Sequence, residues 1–238
     1  MAKDKRIRLI TETDRLGKVS AVNKILDAAS GRIIVLCGAD LQLEPDSIKK
    51  LVRGFSDPKV GMIGARPVPT NDKGTFCGFC AHLVWDLHHR VAMKKPKCGE
   101  LIAFRNEGFR IPKEMAVDEA WLEWRYTASG WKIAYAPDAI VKNRGPDTIP
   151  DYLKQRRRNH ALHMQLERQA GYAVSTSDLG LIVEGLAANI TSDPRSLVYC
   201  AGALLLEGVS IALGAYDYHI AKNNHAVWDV VASTKVVS

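Results

Sequence analysis

Apolar and polar positions change period several times along the chain. Residues 6–10, Arg-Ile-Arg-Leu-Ile, alternate basic and apolar, the period of a half-buried strand. Val19, Val22, Ile25, Leu26 and Ala29 then recur at helical spacing within 17–30, with Gly31 placed to cap the helix. Residues 32–37, Arg-Ile-Ile-Val-Leu-Cys, form a continuous apolar run, as in a strand buried on both faces. A helix follows over 45–55, with Pro45 near its first turn, and a strand over 60–68. Strand, helix, strand, helix, strand predicts a parallel sheet with covering helices.

The alternation continues with a helix over 80–94, a strand over 99–105 and a helix over 117–130 closed by Gly130. A strand over 131–137 is stopped by Pro137, and a long helix over 150–171 opens with Pro150 and closes with Gly171. Residues 196–216 differ: they are nearly all apolar, over about the 20 residues that a bilayer crossing needs. Glu207 stands in their middle, where an acid is costly in hydrocarbon, so a buried or interfacial helix competes with a span. The division expected is a catalytic domain over 1–173 and a helical C-terminal region over 174–238.

Composition narrows the class. With 47% hydrophobic and 25% charged residues, the 238-residue chain is globular. A formal charge of +7 favours anionic partners without choosing among nucleotides, acidic lipid and nucleic acid. Five cysteines in no regular framework point to a reducing compartment, and the N-terminal residues lack the apolar core of a signal peptide.

Five groups of residues have chemistry to offer. Asp40 follows the apolar run directly, behind Gly38 and Ala39, where open parallel sheets bind ligands. A carboxylate there either holds a divalent cation and its diphosphate or is an ordinary turn residue. Asp118 and Glu119 are adjacent; on a helix they diverge by about 100°, so they are not expected to meet the same atom. One is a candidate general base; the alternative is a first-turn acidic pair favoured by the helix dipole. Gln155, Arg158 and Asn159 share a helix face suited to phosphate or polyol, or are simply solvated, while Arg156 and Arg157 point elsewhere. No aromatic residues interleave with this basic run, which argues against nucleic acid. Cys77, Cys80 and His82 form one unmatched Cys-x-x-Cys cluster, a weak zinc signal. Trp85, His88 and His89 lie on one helix, as packed or surface residues or as an acceptor-binding wall.

The order of these pieces carries more than any of them alone. Gly17-Lys18…Asn23, Ile33–Asp40, Asp57–Pro69, Gly99–Arg105, Asp118–Pro137 and Pro146–Asn159 occur in sequence. The chain resembles the family-2 glycosyltransferases, over roughly residues 6–170. The resemblance implies an α/β, GT-A or Rossmann-like, mostly parallel sheet flanked by helices. It also implies sugar transfer with inversion from a nucleotide-diphosphate sugar to a hydroxyl acceptor, lipid-linked or part of an exported glycan. A Mg²⁺ or Mn²⁺ ion is implied as cofactor, with a glycan or lipid acceptor and a membrane surface as partners. Location on the cytoplasmic side of a membrane is implied, with a soluble cytoplasmic enzyme as the alternative.

Carried over by position, Asp40 matches the last acid of the family's Asp-x-Asp metal motif, whose first acid is replaced by Gly38. Asp118 or Glu119 matches the catalytic base. Lys18, Asn23, Gln155 and Arg158 match donor or diphosphate positions, with Asn159 where the family usually has Trp. Trp85, His88, His89, Gly99 and Glu100 are the acceptor-side candidates. The tail from Trp228 to Lys235 looks like endings of membrane-associated members. The chain begins at about the family's third strand, so the strands that hold the nucleobase are expected to be missing. A truncated remnant that binds a membrane or a partner and transfers nothing is therefore the alternative function.

Overall fold

The computed structural model describes residues 4–115, 117–172, 179–190, 193–223 and 234. The tail resemblance over 228–235 and the boundary at 173–174 therefore lie largely outside the described residues. The elements run α1 (Lys18–Ala28), β1 (Ile33–Leu36), β2 (Gln42–Leu43), α2 (Ser47–Arg53), β3 (Val60–Pro69), α3 (Phe76–Lys94) and β4 (Ile102–Arg105). They continue with α4 (Asp118–Ala128), β5 (Lys132–Asn143), α5 (Ile149–Ala170), α6 (Leu179–Asn189) and α7 (Pro194–Tyr216), which ends in a π turn at Asp217–Ala221.

The strands form one five-stranded sheet in the order β1-β4-β3-β5-β2. β3 and β5 pair in parallel. β4 runs against both β1 and β3, and β2 runs against β5. β1, β3 and β5 thus share a direction, as the alternation predicts, but the ladder is mixed because reversed β4 is inserted between β1 and β3. Period-two burial divides the core. Met62, Ile102 and Phe104 face α1, α4 and α5 with Val22, Leu26, Leu122, Tyr126 and Leu166. Ile63, Leu101, Ala103 and Val141 face the other way, onto Leu51 of α2.

Several expectations need correction. Residues 6–10 form no strand, and Ile7 and Leu9 are 63% and 84% exposed. Alternation fits a residue run to a sheet edge, but no described strand pairs with this one. β1 is an edge strand in the described sheet, and only Ile34 of its four residues is buried. Gly31 is not the cap of α1, which ends at Ala28 with Ala29 already extended. Pro137 does not end β5, because the β3 ladder slips from Ala136 to Ile140 and leaves the proline in a bulge.

The long helices are set by their ends. Thr75 caps α3 by accepting the Gly78 amide at 3.1 Å, so the helix starts four residues before the expected 80. Thr148 caps α5, whose C-cap Gly171 has φ 63°. α7 lies along α5, close enough that a Cβ on Gly214 would stand 2.8 Å from the Arg157 carbonyl oxygen.

Candidate functional site

Lys18 sits in the first turn of α1, just after Gly17, whose φ of 92° turns the chain into the helix. Its ammonium reaches across to the start of α4. Nζ lies 2.9 Å from Asp118 Oδ1 and 2.7 Å from Glu119 Oε1. The expectation that neighbouring acids would not share a target is corrected. Both sit at the helix start, and Nζ lies between their diverging side chains. The helix N-terminus favours them further.

The two acids are not equivalent. The Asp118 side chain is fully buried, whereas that of Glu119 is 23% exposed. Burial, and then the Glu119 charge, push the Asp118 carboxyl well above the ordinary carboxylate range. Burial also pushes Glu119 upward, but Lys18 and a hydrogen bond from Asp118 outweigh it and hold Glu119 ionised. Burial disfavours charge on Lys18, yet two carboxylates keep it protonated. The centre holds one cation against two acids, with one acid reachable.

Other residues gather around it at the carboxyl ends of β1 and β5. Glu100 accepts from Asn143 Nδ2 at 3.2 Å. Its carboxyl is raised to about 6, first by burial, then by Glu119, with Asp40 adding to the effect. Its φ of 61° puts a bulky residue in left-handed backbone, the strain that clusters at working sites. Asp40 stands in the turn after β1, and a Cβ on Gly38 would lie 2.9 Å from its Oδ1. Arg158 on α5 is lowered to about 10 by burial, opposed by the charge of Glu119. Gln155 lies one turn earlier, partly buried.

The remaining candidates are spent differently. Asn23 brackets the Ile111 backbone, donating to its carbonyl at 2.8 Å and accepting its amide at 3.0 Å. Both ends of its side chain thus hold the 106–112 loop onto α1. His88 is 5% exposed, edge-on to Trp85 and packed on Gly99, whose added Cβ would stand 3.3 Å from its Nε2. Burial, then Lys97, lower His88 to about 3, so it is neutral. His89 Nδ1 meets the Tyr135 hydroxyl at 2.9 Å. Cys77 and Cys80 are buried free thiols, and among the described residues no three His, Cys, Asp or Glu side chains are placed to hold a metal. Burial pushes both thiols up, Cys80 to about 12.

The rest of the basic run binds α7. Glu207 accepts from Arg156 Nε at 3.0 Å and pairs with His160 Nε2 at 2.9 Å, and Arg157 pairs with Asp217. That answers how an acid sits within the apolar segment. Two polar groups escaped the sequence reading. Glu123, 2% exposed, and Tyr172 lie beneath the site and bond to each other. The available signal was Glu123 itself, an acid in Trp-Leu-Glu-Trp one helical turn after Glu119.

Comparison with known proteins bears on the family and the fold. A curated N-acetylglucosaminyltransferase of Rhizobium meliloti (strain 1021) is 23% identical over 181 residues, 66% of this chain. The chain spans 42% of that relative's length. A mannosyltransferase from Pyrobaculum calidifontis, solved in complex with GDP-Man and Mn²⁺, superposes with a TM-score of 0.62 at 21% identity. The superposition covers 91% of this chain and 70% of that one, and shows a shared GT-A-type fold. The family model described as glycosyl transferase family 2 matches residues 1–119, half of the 238. The chain belongs to glycosyl transferase family 2.

Proposed function

We propose that the chain transfers a sugar, with inversion, from a nucleotide-diphosphate sugar to a hydroxyl acceptor, with Glu119 as the base. The observation that carries this is the unequal pair on Lys18: Asp118 sealed away, Glu119 ionised and partly exposed. In the reaction Glu119 takes the acceptor's hydroxyl proton as that oxygen bonds to the anomeric carbon. The bond from that carbon to the diphosphate breaks, and its electron pair leaves with the nucleoside diphosphate.

A carboxylate held far below neutral pH is a weak base. Lys18 can correct this. A donor diphosphate brings negative charge that competes with Glu119 for the ammonium. As Lys18 turns to the diphosphate, the carboxylate loses its partner and its basicity rises. Arg158, which feels the charge of Glu119, would hold the diphosphate as well. Donor arrival and base activation thus become one event.

A divalent cation fits the residues present only in part. Asp40 supplies one carboxylate, and Gly38 leaves room beside it. Mg²⁺ commonly binds one or two carboxylates and completes its shell with phosphate oxygens and water. Asp40 would hold Mg²⁺ or Mn²⁺, whose chemistry when bound is to neutralise charge on the leaving diphosphate.

Pro194–Ala221 is long and apolar enough to cross a membrane. We read it instead as lying on the surface of one. α7 is clamped lengthwise to α5 by Arg156 and Arg157, and a span would carry those arginines into hydrocarbon. Its outer face exposes Leu197, Val198, Leu204 and Leu205, 52–72% each. This favours a lipid-linked acceptor or an exported glycan.

Two measurements test the reading. Nucleoside diphosphate release is followed over a panel of UDP- and GDP-sugars with Mn²⁺. At least one donor should turn over, and none doing so would count against transfer. Co-flotation with anionic phosphatidylglycerol vesicles should fall at least fivefold in Leu205→Glu; equal flotation would refute the surface role of α7.

A further inference from the structure

We propose that Glu123 is the positioning residue of the site, one buried carboxylate that holds the acid-bearing helix, the Glu100 turn and the end of the Arg158 helix in a fixed relation. Its role as stated rests on the reading of Glu119 as the base. Glu123 Oε2 accepts the Cys98 amide at 2.8 Å, and Oε1 accepts the Tyr172 hydroxyl. Each contact leads to a different part of the site. Cys98 precedes Gly99 and Glu100 by one and two residues. Tyr172 follows Gly171, the left-handed cap that turns the chain back at the end of α5. Glu123 itself lies four residues after Glu119, one turn along the same face of α4.

Three observations explain why the site needs this anchor. First, α4 begins at Asp118 with Val117 at its N-cap and no side-chain cap bond. Besides Lys18, the turn bearing both acids therefore takes its position from contacts farther along the helix. Second, the Cys98 segment has little freedom on its other side. A Cβ on Gly64 of β3 would stand 2.7 Å from Cys98 Cα and 2.9 Å from the Lys97 carbonyl oxygen. Glu123 thus references α4 to the sheet, through a segment pressed onto it. Third, Lys97 is buried nearby; burial lowers its ammonium, and the Glu123 charge opposes that. A buried carboxylate with two donors and a neighbouring cation is rigid and costly to disturb.

Glu123→Gln keeps shape and one acceptor but turns the other into a donor facing Tyr172. Tyr172→Phe removes one bond and keeps the charge. Both are made in the full chain, with thermal unfolding recorded. The decisive readout is the acetylation rate of Lys18 at pH 8, by mass spectrometry, relative to exposed Lys49. Lys18 is protected because both acids keep it protonated, so a displaced acid pair frees it. The expected result is a rise of at least fivefold in Glu123→Gln and a smaller rise in Tyr172→Phe. A residue that only stabilises the fold would lower the melting temperature and leave this ratio unchanged; that result in the folded variants overturns the proposal. If Glu123→Gln does not fold, Tyr172→Phe decides: a rise supports the role and no change rejects it. With a donor that turns over, Glu123→Gln should lower kcat at least tenfold with KM within twofold. A wild-type chain that turns over no donor fails the transferase reading, while the Lys18 ratio still decides the role of Glu123.

Discussion

The centre at Lys18 and the joint at Glu207 are made of the same parts in opposite proportion. At Glu207 one carboxylate meets Arg156 and His160, with the Tyr152 hydroxyl 3.4 Å away. Acid is outnumbered, its acceptor sites are filled, and the cluster binds helix to helix. At Lys18 one ammonium meets Asp118 and Glu119, with Glu100 and Asp40 nearby. Acid is in excess, and one carboxylate remains reachable. Both clusters are partly screened from water, so depth alone does not separate a structural pair from a working one. The ratio of acid to base does, together with what is left over for a ligand.

The comparison is easiest to break at its cation. Lys18→Met leaves ionised Glu119 without its cationic partner, beside an Asp118 biased toward its neutral form. Turnover should fall at least 100-fold. Stability should fall by about 2 kcal/mol, the cost of stranding a buried charge discounted for the partial exposure of Lys18. Denaturant unfolding and donor turnover check the two effects; a fully active variant would show that Lys18 is only a surface partner.

Glu207→Gln should behave differently. It strands Arg156 and loosens α7, at about 1–2 kcal/mol in urea unfolding. Donor turnover in free solution should stay within threefold. A large loss of turnover with little loss of stability would reverse the roles given to the two clusters.

At neutral pH the smallest effect belongs to His88, a buried base beside the site with no acid partner among the described residues. Its folded value of about 3 lies below the ordinary 6.5. Between those values the unfolded chain binds the proton and the folded chain does not. Its contribution to stability is therefore complete above pH 6.5 and declines as pH falls toward 3, by up to ~1.4 kcal/mol per pH unit. His88→Gln should flatten the acid limb of a stability–pH curve by about that slope. An unchanged limb would mean that His88 is protonated without penalty.

Much of this was readable in the sequence where local chemistry decides the outcome. Pro150 and Gly171 punctuate α5, and the 3.6-residue period of Val19, Val22 and Leu26 marks the buried face of α1. The acid pair, Lys18 and Arg158 were found by type and order, and the structure brings them together. What escaped depends on distant partners. Reversal of β4 leaves no trace in an apolar run, because a strand reads alike in both directions. The bulge at Pro137 depends on slippage against β3. The partners of Glu207 lie on another helix, some 50 residues earlier in the chain. Glu123 carries no local sign of its role, because nothing near it in sequence shows that Cys98 and Tyr172 converge on it.

The most direct test compares Glu119→Gln with Asp118→Asn in nucleoside diphosphate release from a donor that the wild-type chain uses. Asp118 is buried and biased toward its neutral form, so the neutral isostere should cost no more than about tenfold. Glu119→Gln removes the base and should cost at least 100-fold, with donor KM nearly unchanged. Full activity in Glu119→Gln, or the larger loss in Asp118→Asn, would contradict the assignment of Glu119 as the base.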